Sequence, residues 1–247
     1  MKKREKKRRK NRISPLRKII GIIGIIAGIL LIASTSYFNV KNYEITGNSY
    51  YSKEEIMVMG DCKSGQNIFW GTDLKDIKTR LEKDSYMEGV KVKRVLPNTI
   101  AIELDERRQV AAVVYGQHYV VIDSDGIVLR NTEVDPKVTH VHGLTISKIE
   151  VGQPIEVEET VKLRQTLEML AMMESKDMYF VKIEMTKSGV DAYVLDHLVC
   201  KGTPQNIMES MKTQNLQKVV TGLFNLKIER GTINISGGDY ISFNPSL

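Results

Sequence analysis

Four histidines, His118, His140, His142 and His197, and two cysteines, Cys62 and Cys200, are the side chains of this 247-residue chain best suited to nucleophilic or metal chemistry. His140 and His142 flank a single residue, which puts both imidazoles on one side of a strand as half of a metal site. No third ligand stands nearby in sequence, so a solvent-facing pair near a strand end is expected, with no metal. Cys200 and His142 could be cast as a thiolate and its base. The residues before that cysteine are Asp196-His197-Leu198-Val199, however, and no arginine follows until Arg230. A buried cysteine that behaves as a small apolar residue is the better expectation. Two cysteines cannot build a disulfide framework, and Cys62 and Cys200 fall in different expected domains, so both should be free thiols. No Gly-rich phosphate loop, Ser-His-Asp pattern or paired-carboxylate signature stands out among residues 38–247. The expectation is therefore no enzyme activity, no cofactor and no small-molecule substrate.

The elements that carry these groups follow an apolar segment. Residues 1–18 hold eleven Lys or Arg and one acid, Glu5, which leaves 25 basic and 29 acidic side chains, a net charge of −4, for residues 19–247. The overall charge of +6 thus belongs to a short tail. A mildly acidic body argues against nucleic acid as a partner. Residues 19–40, IIGIIGIIAGILLIASTSYFNV, contain no charge before Lys41. Helical residues rise 1.5 Å each, so about nineteen of them cross most of a roughly 30 Å hydrocarbon core. A transmembrane helix is expected over 19–38. The cations on one flank, against Lys41 and Glu44 on the other, place the N-terminus in the cytoplasm and the remainder outside. A cleaved signal peptide, with Ala33, Ser34 and Thr35 as its small residues, ranks second because the apolar stretch exceeds the usual ~7–15 residues of such segments. Gly21, Gly24 and Gly28 share one helical face and could seat a neighbouring membrane helix, although glycine is simply common in such helices. The tail is expected to set topology and to touch anionic lipid.

From Phe38 to about Val114 the pattern is strand, helix, helix, strand, strand. Tyr43 and Ile45 alternate with polar neighbours up to Gly47-Asn48. Ser52 and Glu55 have capping-box spacing before a short helix that presents Ile56 and Met59. Thr72 or Asp73 caps a second helix, in which Leu74, Ile77 and Leu81 recur on one face. Val90 and Val92, then Ile100, Ile102 and Leu104, alternate on either side of Pro97-Asn98, a hairpin with one apolar face for the helices to cover.

That order beside an anchor is similar to the POTRA domain, a small polypeptide-binding module. Val40-Lys41-Asn42-Tyr43-Glu44-Ile45-Thr46-Gly47-Asn48, Ser52-Lys53-Glu54-Glu55-Ile56, Gly65-Gln66-Asn67-Ile68-Phe69 and Val92-Lys93-Arg94-Val95-Leu96-Pro97-Asn98-Thr99-Ile100 resemble the FtsQ/DivIB bacterial cell-division proteins. Glu106-Arg107-Arg108-Gln109-Val110-Ala111 resembles the family's E-R-x-P-V-A, with Gln109 in place of proline. The resemblance implies a single-pass cell-membrane protein at the division septum. It further implies that the C-terminal part of the second domain holds the small coiled-coil division proteins FtsB/DivIC and FtsL.

Beyond Val114 the chain is strand-rich. Tyr119–Asp123 and Ile127–Leu129 form a hairpin that turns at Asp125-Gly126. An amphipathic helix over 159–175 presents Leu163, Leu167, Leu170 and Ala171. Strands are expected near 180–186, 190–195 and 198–201, then one helix from Pro204 to Gly222, and a terminal pair at 227–236 and 240–243 joined by Gly237-Gly238-Asp239. The fold class is α+β: one transmembrane helix, a POTRA module and a β-rich domain with helices on one face of its sheet. The divisions are 1–18, 19–38, 39–114 and 115–247. A final strand lies at a sheet edge, where unpaired N–H and C=O groups accept a partner's strand. Thr232, Asn234, Tyr240, Ile241, Ser242 and Phe243 are therefore the expected partner-binding residues. The competing function is an exported, sortase-like cysteine transpeptidase that uses Cys200.

Overall fold

Ser34 and Thr35 set the end of the first helix. Their hydroxyls donate back to the carbonyls of Leu30 and Ile32, at 2.8 and 2.7 Å, beside the backbone N–H groups of the same two residues, and so compete with continuation of the helix. In the computed structural model, which describes residues 15–237 and 240–245, helix α1 accordingly spans Pro15–Ala33, and a 3₁₀ turn follows at Ser36–Phe38. The helix stops five residues short of the expected 38. Among the described residues it is the one helix long and apolar enough to cross a membrane. Gly21, Gly24 and Gly28 leave open space around their Cα atoms. The basic tail up to residue 14 and the turn residues Gly238 and Asp239 lie outside the described residues.

The chain divides into two compact units, one running up to Leu81 with Val90–Leu104, the other made of Glu82–Gly89 with Asp105–Leu247. After α1, the first unit holds β1 (Asn42–Thr46), α2 (Lys53–Met59), α3 (Leu74–Leu81) and most of the hairpin β2 (Met87–Val95) and β3 (Thr99–Glu106). The sheet order is β1-β3-β2, with β1 parallel to β3 and Asn42 opposite Thr99. The capping box forms as its spacing requires: Ser52 Oγ accepts from Glu55 N, and the Glu55 carboxylate accepts from Ser52 N. The Ser52 N–H and then the Ser52 hydroxyl, both donating to that carboxylate, hold Glu55 below the ordinary carboxylate range. Asp73, rather than Thr72, caps α3 by accepting from the N–H groups of Lys75 and Asp76. Ile45, Ile56, Ile77, Leu81, Val90, Ile100 and Ile102 are buried, so each apolar stripe predicted from periodicity faces inward.

In the second unit come β4 (Ala111–Tyr115), β5 (His118–Ile122), β6 (Val128–Thr132), β7 (Thr139–His142), β8 (Ile146–Lys148), β9 (Glu156–Val157), α4 (Thr160–Met173), β10 (Lys182–Met185), β11 (Val190–Leu195), β12 (Leu198–Gly202), α5 (Pro204–Lys212), α6 (Asn215–Asn225), β13 (Gly231–Gly237) and β14 (Tyr240–Asn244). Nine of these strands form one sheet in the order β14-β13-β12-β11-β10-β7-β4-β5-β6, while β8 and β9 pair separately. The expected division at residue 114 falls within β4, whose five residues all pair with β5.

One apolar cluster joins the three helices to a single face of this sheet. It runs through Leu163, Leu167 and Leu170 of α4, Ile207 and Met211 of α5, Leu216 and Val220 of α6, and Val141, Ile183, Ala192, Cys200 and Ile233 of the strands. Ala171, expected on the packed face of α4, is exposed, and Thr166, Met169 and Met173 are buried instead. The single helix expected over 204–222 is two. Thr213 caps α5, and Gln214 takes a left-handed backbone at φ 60°. The Gln217 side chain donates to the carbonyls of Met211 and Lys176, at 3.1 and 3.0 Å. The strand expected from 227 begins at Gly231, because Leu226 and Lys227 bond back to the last turn of α6 and Lys227 has φ 59°.

Candidate functional site

Strand β14 closes the nine-stranded sheet and pairs with β13 alone among the described strands. In that antiparallel pair Ile233 faces Phe243, Asn234 faces Ser242 and Ile235 faces Ile241. Side chains alternate across a strand. Ile241 and Phe243 consequently pack against the helix-covered core, and Thr232, Asn234, Tyr240 and Ser242 lie on the open face. Tyr240 is 81% exposed. Phe243 has room because position 231 is glycine: at φ +141° a Cβ there would sit 2.5 Å from the ring and 2.8 Å from the Asn244 carbonyl. Of the six residues expected to bind a partner, the two on β13 thus belong to an inner strand. The other four are on the edge itself.

The open face continues inward as a polar, charge-compensated surface. Lys182 Nζ sits 2.8 Å from Glu184 Oε1 and 4.0 Å from the centre of the Tyr193 ring, whose hydroxyl donates to Glu184 Oε2 at 3.1 Å. Lys201 pairs with Asp191 at 2.8 Å. His140 contacts Asp135 at 3.0 Å through Nε2 and stacks near Tyr119. Burial, followed by the neighbouring Lys182, holds His142 below the ordinary imidazole range. The two rings do share a face, with centroids 6.5 Å apart, and no group of three or more His, Cys, Asp or Glu assembles among the described residues.

The pairing of Cys200 with His142 fails on geometry. Cys200 is in register with Ala192, then Ile183, then Val141, three strands away. At about 4.8 Å per strand, His142 lies roughly 14 Å from the thiol and, being adjacent to Val141, on the opposite face of the sheet. Burial pushes the Cys200 thiol up to about 12, and burial with the Asp61 charge pushes Cys62 up to about 11. Neither is a thiolate at neutral pH.

One buried ion pair joins residues that lie sixteen positions apart and share no local motif. Arg107, from the segment Glu106-Arg107-Arg108, reaches Asp123 with Nη1 2.6 Å from Oδ2, and that carboxylate is 4% exposed. Its other oxygen accepts from Asp125 N and Ile127 N at 2.9 and 2.8 Å and so shapes the hairpin turn. Tyr86 O accepts from Arg107 N, and Ser85 Oγ donates to Leu129 O, so the stretch before β2 is tied to the same place. An acid two residues before Asp125-Gly126 was the available signal.

A βααββ module with β1 beside β3, directly after an apolar helix long enough to span a bilayer, defines a membrane-anchored POTRA protein. Residues 38–107 match the POTRA domain, FtsQ-type. The chain is 26% identical to the cell division protein DivIB of Clostridium acetobutylicum over 74% of each chain. It is 24% identical to DivIB of Bacillus subtilis over 85% of this chain and 77% of that one, and 29% identical to FtsQ of Syntrophotalea carbinolica over 53% and 54%. The chain is thus similar, over up to 85% of its length, to proteins named DivIB and, over 53%, to one named FtsQ.

Proposed function

We propose that this protein is a non-catalytic bitopic scaffold of the bacterial division machinery. In this reading α1 holds it in the cell membrane with the basic tail in the cytoplasm, its two units act outside, at the septum, and β14 receives a strand from small coiled-coil partners of the FtsB/DivIC and FtsL type. The observation that carries the binding site is the position of β14 at the end of the nine-stranded sheet. Backbone groups on its outer side supply affinity, and alternate side chains supply selectivity. The division role rests on the names of the relatives.

Successive N–H groups of a strand point to opposite sides, so of Ile241 and Ser242 one donates toward β13 and the other outward. Proline removes a donor without adding charge. One of Ile241→Pro and Ser242→Pro should therefore loosen the hairpin, and the other should stay folded and lose partner binding. Titration of each full-length variant with detergent-solubilised partner, alongside its thermal unfolding, checks this. Unchanged affinity in both variants would move the site elsewhere. Cys200→Ala is expected to support division at the wild-type rate in a depletion strain, because the thiol only fills space; filamentation of cells that contain folded Cys200→Ala protein would revive the transpeptidase reading.

A further inference from the structure

Four aromatic rings stand in a row where α1 ends. Tyr37 and Phe38 have centroids 5.2 Å apart, Phe38 and Phe69 5.4 Å, and Phe69 and Trp70 5.7 Å. A soluble module would bury such rings, yet Tyr37 is 62% exposed and Trp70 56%. The row is joined to the helix end, since Asn67 Nδ2 donates to the carbonyl of Ala33 at 2.8 Å and Ile68 N to that of Phe38 at 2.9 Å.

The loop that carries Phe69 and Trp70 is held in shape from several sides. Asn67 Oδ1 accepts from Phe69 N, and Asn67 O accepts from Gly71 N. Arg94 donates to the carbonyls of Ile68 and Thr72. At Gly71 a Cβ would lie 2.7 Å from Asn67 N, so only glycine closes the turn. The rings are therefore presented by a fixed turn rather than by a chance excursion.

We infer that Tyr37, Phe69 and Trp70 form an interfacial foot that rests in the headgroup layer of the outer leaflet and sets how the POTRA module stands on the membrane. The occupant is lipid because the row is continuous with the end of the span. Rings with an apolar body and a polar edge, as in Tyr and Trp, concentrate at that depth. The inference rests on α1 being a membrane span.

Trp70 is the only tryptophan in the chain, so its fluorescence reports this place alone. The full chain would be reconstituted into phosphatidylcholine–phosphatidylglycerol liposomes in which the phosphatidylcholine is brominated either near the headgroup or near the acyl-chain end. Headgroup-proximal bromine should quench Trp70 at least about twofold more than deep bromine, as an interfacial ring requires. Tyr37→Ser combined with Phe69→Ser should reduce that quenching while Trp70 stays in place. If the protein floats with alkaline-washed liposomes but neither lipid quenches Trp70, the foot is overturned and the anchor stands. If the wash strips the protein from the liposomes, both fall.

Discussion

Asp123→Ala is expected to lower the stability of the second unit by about 3–5 kcal/mol, the range for removing one partner of a buried ion pair. Arg107 would keep its charge in a site that is four-fifths covered, and the N–H groups of Asp125 and Ile127 would lose their common acceptor. Glu88 and Asp125, each 3.9 Å from Arg107 Nη1, are exposed and recover little of the loss. Asp123→Asn keeps an acceptor for the turn and should cost less than alanine. Urea unfolding of the two variants in detergent, followed by circular dichroism, measures the difference. A loss under about 1 kcal/mol for alanine would mean that the pair is solvated in solution.

Gly231→Ala is expected to unseat β14. The new methyl group would press on the Phe243 ring and on the Asn244 backbone, and the residue would be held at a φ that alanine resists. Overpacking costs about 1–3 kcal/mol, and the backbone strain adds a similar amount. Strand β14 is the end strand and pairs with β13 alone among the described strands, so displacing it is the expected way to relieve the clash. Partner affinity should fall at least about tenfold, the equivalent of 1.4 kcal/mol. Adding Phe243→Ala relieves the ring contact but not the backbone contact, so it should restore only part of the protection of the β14 amides from hydrogen exchange. Full protection and unchanged affinity in Gly231→Ala would show that β14 does not form the docking edge.

Features made by neighbours in sequence were legible. Ser52 with Glu55, the alternation from Ile100 to Leu104, and the Leu163-Leu167-Leu170 stripe each declare an element through local bonding or periodicity, and each forms. What stayed hidden was non-local or conformationally rare. The break between α5 and α6 depends on Gln214 at positive φ, which its residue type does not announce. The place of β4 in the larger sheet depends on Ala111 meeting Thr139, far along the chain. The pairing of Arg107 with Asp123 required the hairpin to be folded before the two groups could be seen as neighbours. At the candidate site, the alternation of Ile241 and Phe243 was visible, but the need for glycine at 231 was not.

The four parallel pairings among the described strands, β1 with β3, β4 with β7, β7 with β10 and β12 with β13, all join strands separated by long connections. Each such closure loses chain entropy before any ladder forms, which makes folding slow compared with hairpin-built sheets of similar size. Strand β13 pairs with β12 across one of these long connections, and β14 pairs with β13 alone among the described strands, so β14 has no template until β13 is in place. The edge on which the proposed docking site rests is therefore expected to be among the last parts of the sheet to form.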